Sequence, residues 1–287
     1  MKDYAIRATA YEGEARAFAA RTTHLVNTLQ QRHHSWPIAS AALGRTVTVG
    51  AMMGMMLKNE TDHLTIQIRG DGPLGSLVVD ANPRGEVRGY VQNPHVHLSA
   101  NAEGKLNVGG GIGKGTLNVV KDLGLKEPYR GSVELVSGEL AEDFAYYFTV
   151  SEQTPSAVAA GVLVQPDNSV SHAGGFIVQM LPGARDETIE RVETGVRQVG
   201  SVTDQLLKGK SPEDILEIVL GEPVNVQEEL LLSFRCRCSR ERIENMLKAL
   251  GRDEIRSLLE EQGEARVQCH FCNETYTLSR DELEALL

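Results

Sequence analysis

Two kinds of hydrophobic patterning follow one another along the chain, and the change falls near residue 182. Before it, apolar residues come in short runs bounded by turn chemistry. Leu64-Thr65-Ile66-Gln67-Ile68 alternates with period two, Leu77-Val78-Val79 reads as a buried run, and Glu86-Val87-Arg88-Gly89-Tyr90-Val91 follows the turn residues Asn82-Pro83-Arg84-Gly85. Further strands are expected at 117–120, 132–136, 162–165 and 176–181, a turn and then a helix over 11–27, a small-residue, Met-rich buried helix over 37–57, and a helix over 141–150. Strands this closely spaced favour antiparallel hairpins over crossover units.

After Pro182-Gly183 the period changes. Ile189, Val192, Val196, Val199, Val202 and Leu206 recur at steps of three and four, which puts them on one helical face, with Glu187, Glu190, Arg191, Glu193 and Arg197 elsewhere. Gly195 and Gly200 interrupt this helix at about 1 kcal/mol each relative to alanine, so it depends on docking. A second helix is punctuated by Ser211 as N-cap, Pro212 at the first position and Gly221 after Leu220. Residues 233–287 read as a small unit: a helix from Ser239 to Leu250 closed by Gly251, another over 253–261, a hairpin over 267–278, and a capping box from Ser279 and Glu282. The predicted fold is α+β, with an N-terminal mixed domain of antiparallel-rich sheets and helices (1–181), a helical linker (182–232) and a small C-terminal four-cysteine zinc domain (233–287).

Charge removes several function classes. With 39 acidic and 29 basic side chains the formal net charge is -10, against the basic excess that nucleic-acid binding needs. Residues 233–287 alone carry nine Lys or Arg against eleven Asp or Glu, which disfavours a zinc-ribbon nucleic-acid module. The N-terminus lacks the basic-then-apolar layout of a signal peptide and the apolar stretch 47–57 is too short to span a bilayer, so no membrane partner is expected and the location reads as cytoplasmic. Gly109-Gly110-Gly111-Ile112-Gly113-Lys114-Gly115-Thr116 fails the phosphate-loop spacing, and His33-His34 and His95-Val96-His97 lack a nearby carboxylate partner in sequence. No catalytic constellation emerges, and the chain does not read as an enzyme. Met52, Met53, Met55 and Met56 fit a core helix better than an adaptable apolar surface.

The chemistry lies in the cysteines. All four fall near the C-terminus, as Cys236-Arg237-Cys238 and Cys269-His270-Phe271-Cys272. In a reducing compartment that pattern means a metal site or a redox device. Four thiolates suit Zn(II) and leave no open position for water, which speaks against hydrolysis; His270 is the alternative ligand. Arg235, Arg237, Arg240 and Arg242 surround the first pair and would favour thiolate, or they form a solvated helix start. One residue between Cys236 and Cys238 departs from the usual two to four and permits a tight, strained disulfide, so a pair able to leave the metal is a switch candidate. A thiol oxidoreductase reading of Cys269-His270-Phe271-Cys272 is weak, because hairpin-like Asn273-Glu274-Thr275-Tyr276-Thr277 follows where that chemistry needs a helix.

Phe234-Arg235-Cys236-Arg237-Cys238-Ser239-Arg240-Glu241-Arg242 and Cys269-His270-Phe271-Cys272-Asn273-Glu274-Thr275-Tyr276 resemble the heat shock protein 33 family of redox-regulated chaperones. So do Ser40-Ala41-Ala42-Leu43-Gly44-Arg45, Gly70-Asp71-Gly72-Pro73, Val87-Arg88-Gly89-Tyr90, Ser151-Glu152-Gln153 and Ala173-Gly174-Gly175-Phe176, and the likeness spans essentially the whole chain. The resemblance implies one zinc ion per reduced, inactive chain on Cys236, Cys238, Cys269 and Cys272. It further implies that oxidation pairs Cys236 with Cys238 and Cys269 with Cys272, releases zinc, unfolds the C-terminal region and yields an ATP-independent holdase. Implied partners are unfolding client proteins, a second copy in an oxidised homodimer, and ATP-dependent chaperones that receive the clients. No short motif marks the client surface; the face of Ile189, Val192, Val196, Val199, Val202 and Leu206 and the N-terminal domain are the candidates.

Overall fold

A computed structural model describes residues 2–287, which divide into two compact units, one ending at Phe234 and the other spanning Arg235–Leu287. The first unit opens with β1 (Tyr4–Ala10), β2 (Ala15–Arg21), α1 (Thr23–His33), α2 (Pro37–Gly54), β3 (His63–Gly70), β4 (Ser76–Ala81), β5 (Glu86–Val91) and α3 (Val108–Ile112). It continues through β6 (Gly115–Asp122), β7 (Tyr129–Glu134), α4 (Leu140–Val150), β8 (Ser156–Val164) and β9 (Val170–Met180). It ends with α5 (Asp186–Val199), α6 (Val202–Leu207), α7 (Pro212–Leu220), β10 (Asn225–Leu231) and β11 (Ser233–Phe234). The second unit holds α8 (Arg240–Leu250), α9 (Arg252–Glu261), β12 (Ala265–Gln268), β13 (Thr275–Leu278) and α10 (Arg280–Glu284).

A five-stranded sheet of order β10-β1-β2-β9-β8 and a six-stranded sheet of order β11-β5-β4-β3-β6-β7 build the first unit. Every pairing is antiparallel except that of β11 with β5. Helix α2 packs against strands of both sheets and is buried from Ile38 to Gly54 with the exception of Arg45. Pro37 sets its first turn, and with Arg45 its one charged side chain and Ser40, Thr46 and Thr48 buried, it has no solvent face. Met52, Met53 and Met55 are buried there, so the methionines are core.

The five-stranded sheet is covered on both faces. Ala5, Phe18, Ala20 and Ile177 join the core around α2, whereas Ile6, Ala8, Ala17, Ala19, Phe176 and Val178 point the other way, under α5, α6 and α7. Alanines at alternate positions make that second face shallow, so helices can settle close to the backbone. The same alanines hide β2 from sequence reading: the helix expected over 11–27 is a turn, the strand β2, and then α1. Alanine favours helix intrinsically, and the tertiary packing of a two-sided strand overrides it.

The segment 182–232, expected to be helical, holds α5–α7 and then β10, which extends the sheet as an edge strand beside β1. Gly195 does not break α5. It is where α5 meets α7, and an added Cβ would overlap the Val219 carbonyl oxygen. Gly200, at φ +61°, ends the helix, and the Ser201 side chain then accepts from the Asp204 N–H to start α6. Both ends of the segment are fastened to one turn. At its start, Glu14 accepts from the Arg185 N–H (3.1 Å), the Arg185 Nε (2.6 Å) and the Thr188 hydroxyl (2.6 Å). At its end, the Tyr11 hydroxyl donates to the Leu220 carbonyl and the Tyr11 N–H donates to Glu222 Oε1 (2.6 Å). The bonds from Thr188 and Arg185 hold Glu14's carboxyl below its ordinary pKa, the Thr188 hydroxyl contributing most.

Candidate metal centre

Two local structures present the four sulfurs. Cys236 and Cys238 lie in the irregular stretch before α8, whose start Ser239 fixes by accepting from the Arg242 N–H (3.3 Å). Cys269 and Cys272 lie in the turn of the β12–β13 hairpin, closed by the Cys269 N–H donating to the Glu274 carbonyl (2.9 Å) and the Asn273 N–H to the Cys269 carbonyl (2.8 Å). Asn273 takes the left-handed conformation, φ +61°, that turns the chain back.

The sulfurs of Cys236, Cys238, Cys269 and Cys272 all lie within 4.8 Å of one another. Across the two pairs, Cys236 Sγ is 3.7 Å from Cys269 Sγ and Cys238 Sγ is 3.2 Å from Cys272 Sγ. Tetrahedral ligands at the usual Zn–S distance stand about 3.8 Å apart, so the cluster has the dimensions of a four-sulfur shell. His270 is exposed and outside this set, which leaves the thiols as the ligands the geometry offers.

Backbone and side-chain donors aim at the sulfurs. The Cys238 N–H points at Cys236, the Glu274 N–H at Cys272, and the Tyr276 hydroxyl donates to Cys238 Sγ at 3.2 Å. Burial pushes the Cys236 thiol up, but the Cys238 N–H and the other three thiols outweigh it, and the group is lowered to about 7. Burial raises Cys238 and, more strongly, Cys272. Of Cys236, Cys238 and Cys272, the first therefore ionises most readily, sheltered by hydrogen bonds from its neighbours, and a bound cation is what would let all four sulfurs act as thiolates together.

Two of the arginines near the first pair, Arg240 and Arg242, have other work. Arg240 pairs with Glu244 (3.3 Å) and Glu282 and donates to the Thr277 carbonyl, and Arg242 donates to the Arg237 carbonyl (2.9 Å). The thiol shifts arise from burial, sulfur neighbours, Tyr276 and backbone N–H groups. Tyr276 escaped the sequence reading, although strand alternation puts it on the face opposite Thr275 and Thr277, four residues after Cys272.

The apolar stripe singled out in the sequence lies in the first unit and is covered. Val192, Val199, Val202 and Leu206 are 5 % exposed or less, and Val196 packs partly buried against the same cluster. Ile189 is half-buried. No helix among the described residues is long and apolar enough to cross a membrane.

The family model described as Hsp33 protein matches residues 3–279. The 33 kDa chaperonin of Bacillus licheniformis is 53% identical over 285 residues, covering 99% of this chain and 98% of that one. That of Bacillus subtilis is 53% identical over 285 residues with the same coverage. Among solved structures, the 33 kDa chaperonin (heat shock protein 33 homolog) of Thermotoga maritima superposes with a TM-score of 0.93 at 38% identity, over 99% of this chain and 97% of that chain.

Proposed function

The chain belongs to the Hsp33 family of chaperones, and from that premise we propose that it is a redox-regulated, ATP-independent holdase whose switch is the four-cysteine unit. The observation that carries this reading is the meeting of Cys236, Cys238, Cys269 and Cys272 within 4.8 Å in a small unit. Bound there, one zinc ion per chain would supply a cross-link between two segments that are 31 residues apart at their nearest cysteines, Cys238 and Cys269.

In the reduced state the four sulfurs hold zinc, and the stripe on α5 and α6 stays covered. Oxidation joins Cys236 to Cys238 and Cys269 to Cys272. As each S–S bond forms, the pair of thiolates gives up two electrons, which together with two protons from water reduce one hydrogen peroxide to two waters. With the cross-link between the pairs gone, residues 235–287 lose the restraint that a core of their size needs. The helical segment then loosens and presents Ile189, Val192, Val196, Val199, Val202 and Leu206 to unfolding proteins. A homodimer forms on activation, and clients pass to ATP-dependent chaperones when conditions recover. The protein acts in the cytoplasm.

The test couples two readouts on one sample. Zinc release and suppression of a client's light scattering are followed together before and after peroxide with mild unfolding stress. One equivalent of zinc should leave as suppression rises. Suppression by the reduced, zinc-loaded protein equal to that of the oxidised protein would overturn the reading, as would peptide mapping that finds Cys236 or Cys238 joined mainly to Cys269 or Cys272.

A further inference from the structure

The donors to the sulfurs are not of one kind. Cys236 and Cys272 each face a backbone N–H two residues further on, a donor that comes with the turn itself. Cys238 instead receives a side chain, the Tyr276 hydroxyl at 3.2 Å. Tyr276 sits on β13 opposite Val267 of β12, half-buried against the small apolar core, so its ring is held while its hydroxyl reaches the sulfur. A hydrogen bond to a thiolate draws charge from the sulfur, weakening its attack on electrophiles, and fixes its direction toward a metal; outer contacts of this kind are commonly worth 10- to 100-fold in metal affinity.

We propose that Tyr276 is a positioning residue that holds Cys238 in the metal shell and sets how readily this sulfur leaves it. The proposal rests on the metal-binding reading above and adds the group that sets the threshold. Without the hydroxyl, Cys238 is held less firmly and opens more readily to reagents, while Cys236 and Cys272 keep their backbone donors.

The experiment uses the full-length reduced protein loaded with zinc, and in parallel with Co(II) as a spectroscopic probe. In Tyr276→Phe, zinc transfer to a chromogenic chelator should be about tenfold faster. Cys238 should gain reactivity with iodoacetamide, its thiolate displacing iodide, over its level in the unsubstituted protein by peptide mapping. The thiolate-to-Co(II) charge-transfer band should shift. Val267→Ala, which trims the cross-strand neighbour and leaves the hydroxyl, should leave the band in place. Replacing Tyr276 by 3-fluorotyrosine, a stronger donor of nearly the same shape, should slow zinc transfer, and this arm does not depend on the phenylalanine variant folding. Unchanged transfer and an unchanged band in Tyr276→Phe overturn the proposal, as does a Val267→Ala protein that reproduces the shift. An unsubstituted protein that binds no metal at the four thiols overturns the metal reading itself and is recognised before any variant is compared.

Discussion

In the first unit, α2 runs buried from Ile38 to Gly54, Arg45 excepted, between two sheets, and its core takes in Phe18, Phe144, Tyr147 and Phe148. In the unit from Arg235 to Leu287 the buried apolar core is Ile243, Leu247, Ile255, Leu259, Ala265, Leu278 and Leu283, with no buried aromatic ring among them. Cores of units this small rarely supply more than about 3–5 kcal/mol. The first unit is thus stabilised by burial, which no redox reagent touches. In the proposed function the second unit depends on four sulfurs, which a redox reagent does touch, and placing the chemistry in the weaker core would make that core the responsive one.

The comparison breaks most visibly when the metal goes. Chelation, or Cys269→Ser, should remove an apparent stabilisation on the order of 10–16 kcal/mol from the C-terminal unit and leave in place the calorimetric transition of the first unit's core around α2. A single shared transition lost by both units at once would refute the separation. Next in size is Gly195→Ala. The added methyl meets the Val219 carbonyl, so α5 and α7 must separate at a cost of about 1–3 kcal/mol. Faster amide exchange confined to α5–α7, with zinc content unchanged, is the expected readout.

A smaller effect follows from acid. Glu14's carboxyl is held below its ordinary value by bonds from Thr188 and Arg185, so its contribution is present above the unfolded carboxylate value of about 4.3 and is lost as pH falls through the lower folded value. Exchange at the start of α5 should quicken over that window in the unsubstituted protein and show no such step in Glu14→Gln. Smallest is Ser279→Ala, which removes the N-cap of α10 for about 1 kcal/mol and should appear as modestly faster zinc release.

Much of this molecule was legible where punctuation is local. Ser211-Pro212 with Gly221, Ser239 with Gly251, and Ser279 with Glu282 mark α7, α8 and α10 within a residue or so, because caps are set by neighbours in sequence. The four cysteines could be grouped for the same reason, by spacing and residue type. What failed depends on distant partners. β2 is a strand only because β1 and β9 flank it, and β10, with its exposed Asn225, Val226 and Gln227, is a strand only because β1 is beside it. Gly195 read as a weakness in a helix and is a contact surface, a role that needs α7 to be visible. The arginines beside the first cysteine pair read equally as thiolate partners or as a solvated helix start, and Glu244, Glu282 and two carbonyls take Arg240 and Arg242.

The turn that fastens both ends of the helical segment has a kinetic consequence. Glu14 grips the start through Arg185 and Thr188, and Tyr11 grips the end through Leu220 and Glu222. If one grip opens, the other keeps the freed end near its partner at an effective concentration on the order of millimolar, so recapture is fast compared with escape. Single openings heal. Departure requires both grips to be open together and the apolar packing beneath α5–α7 to be given up, so weakening the two ends together raises release more than weakening either one alone.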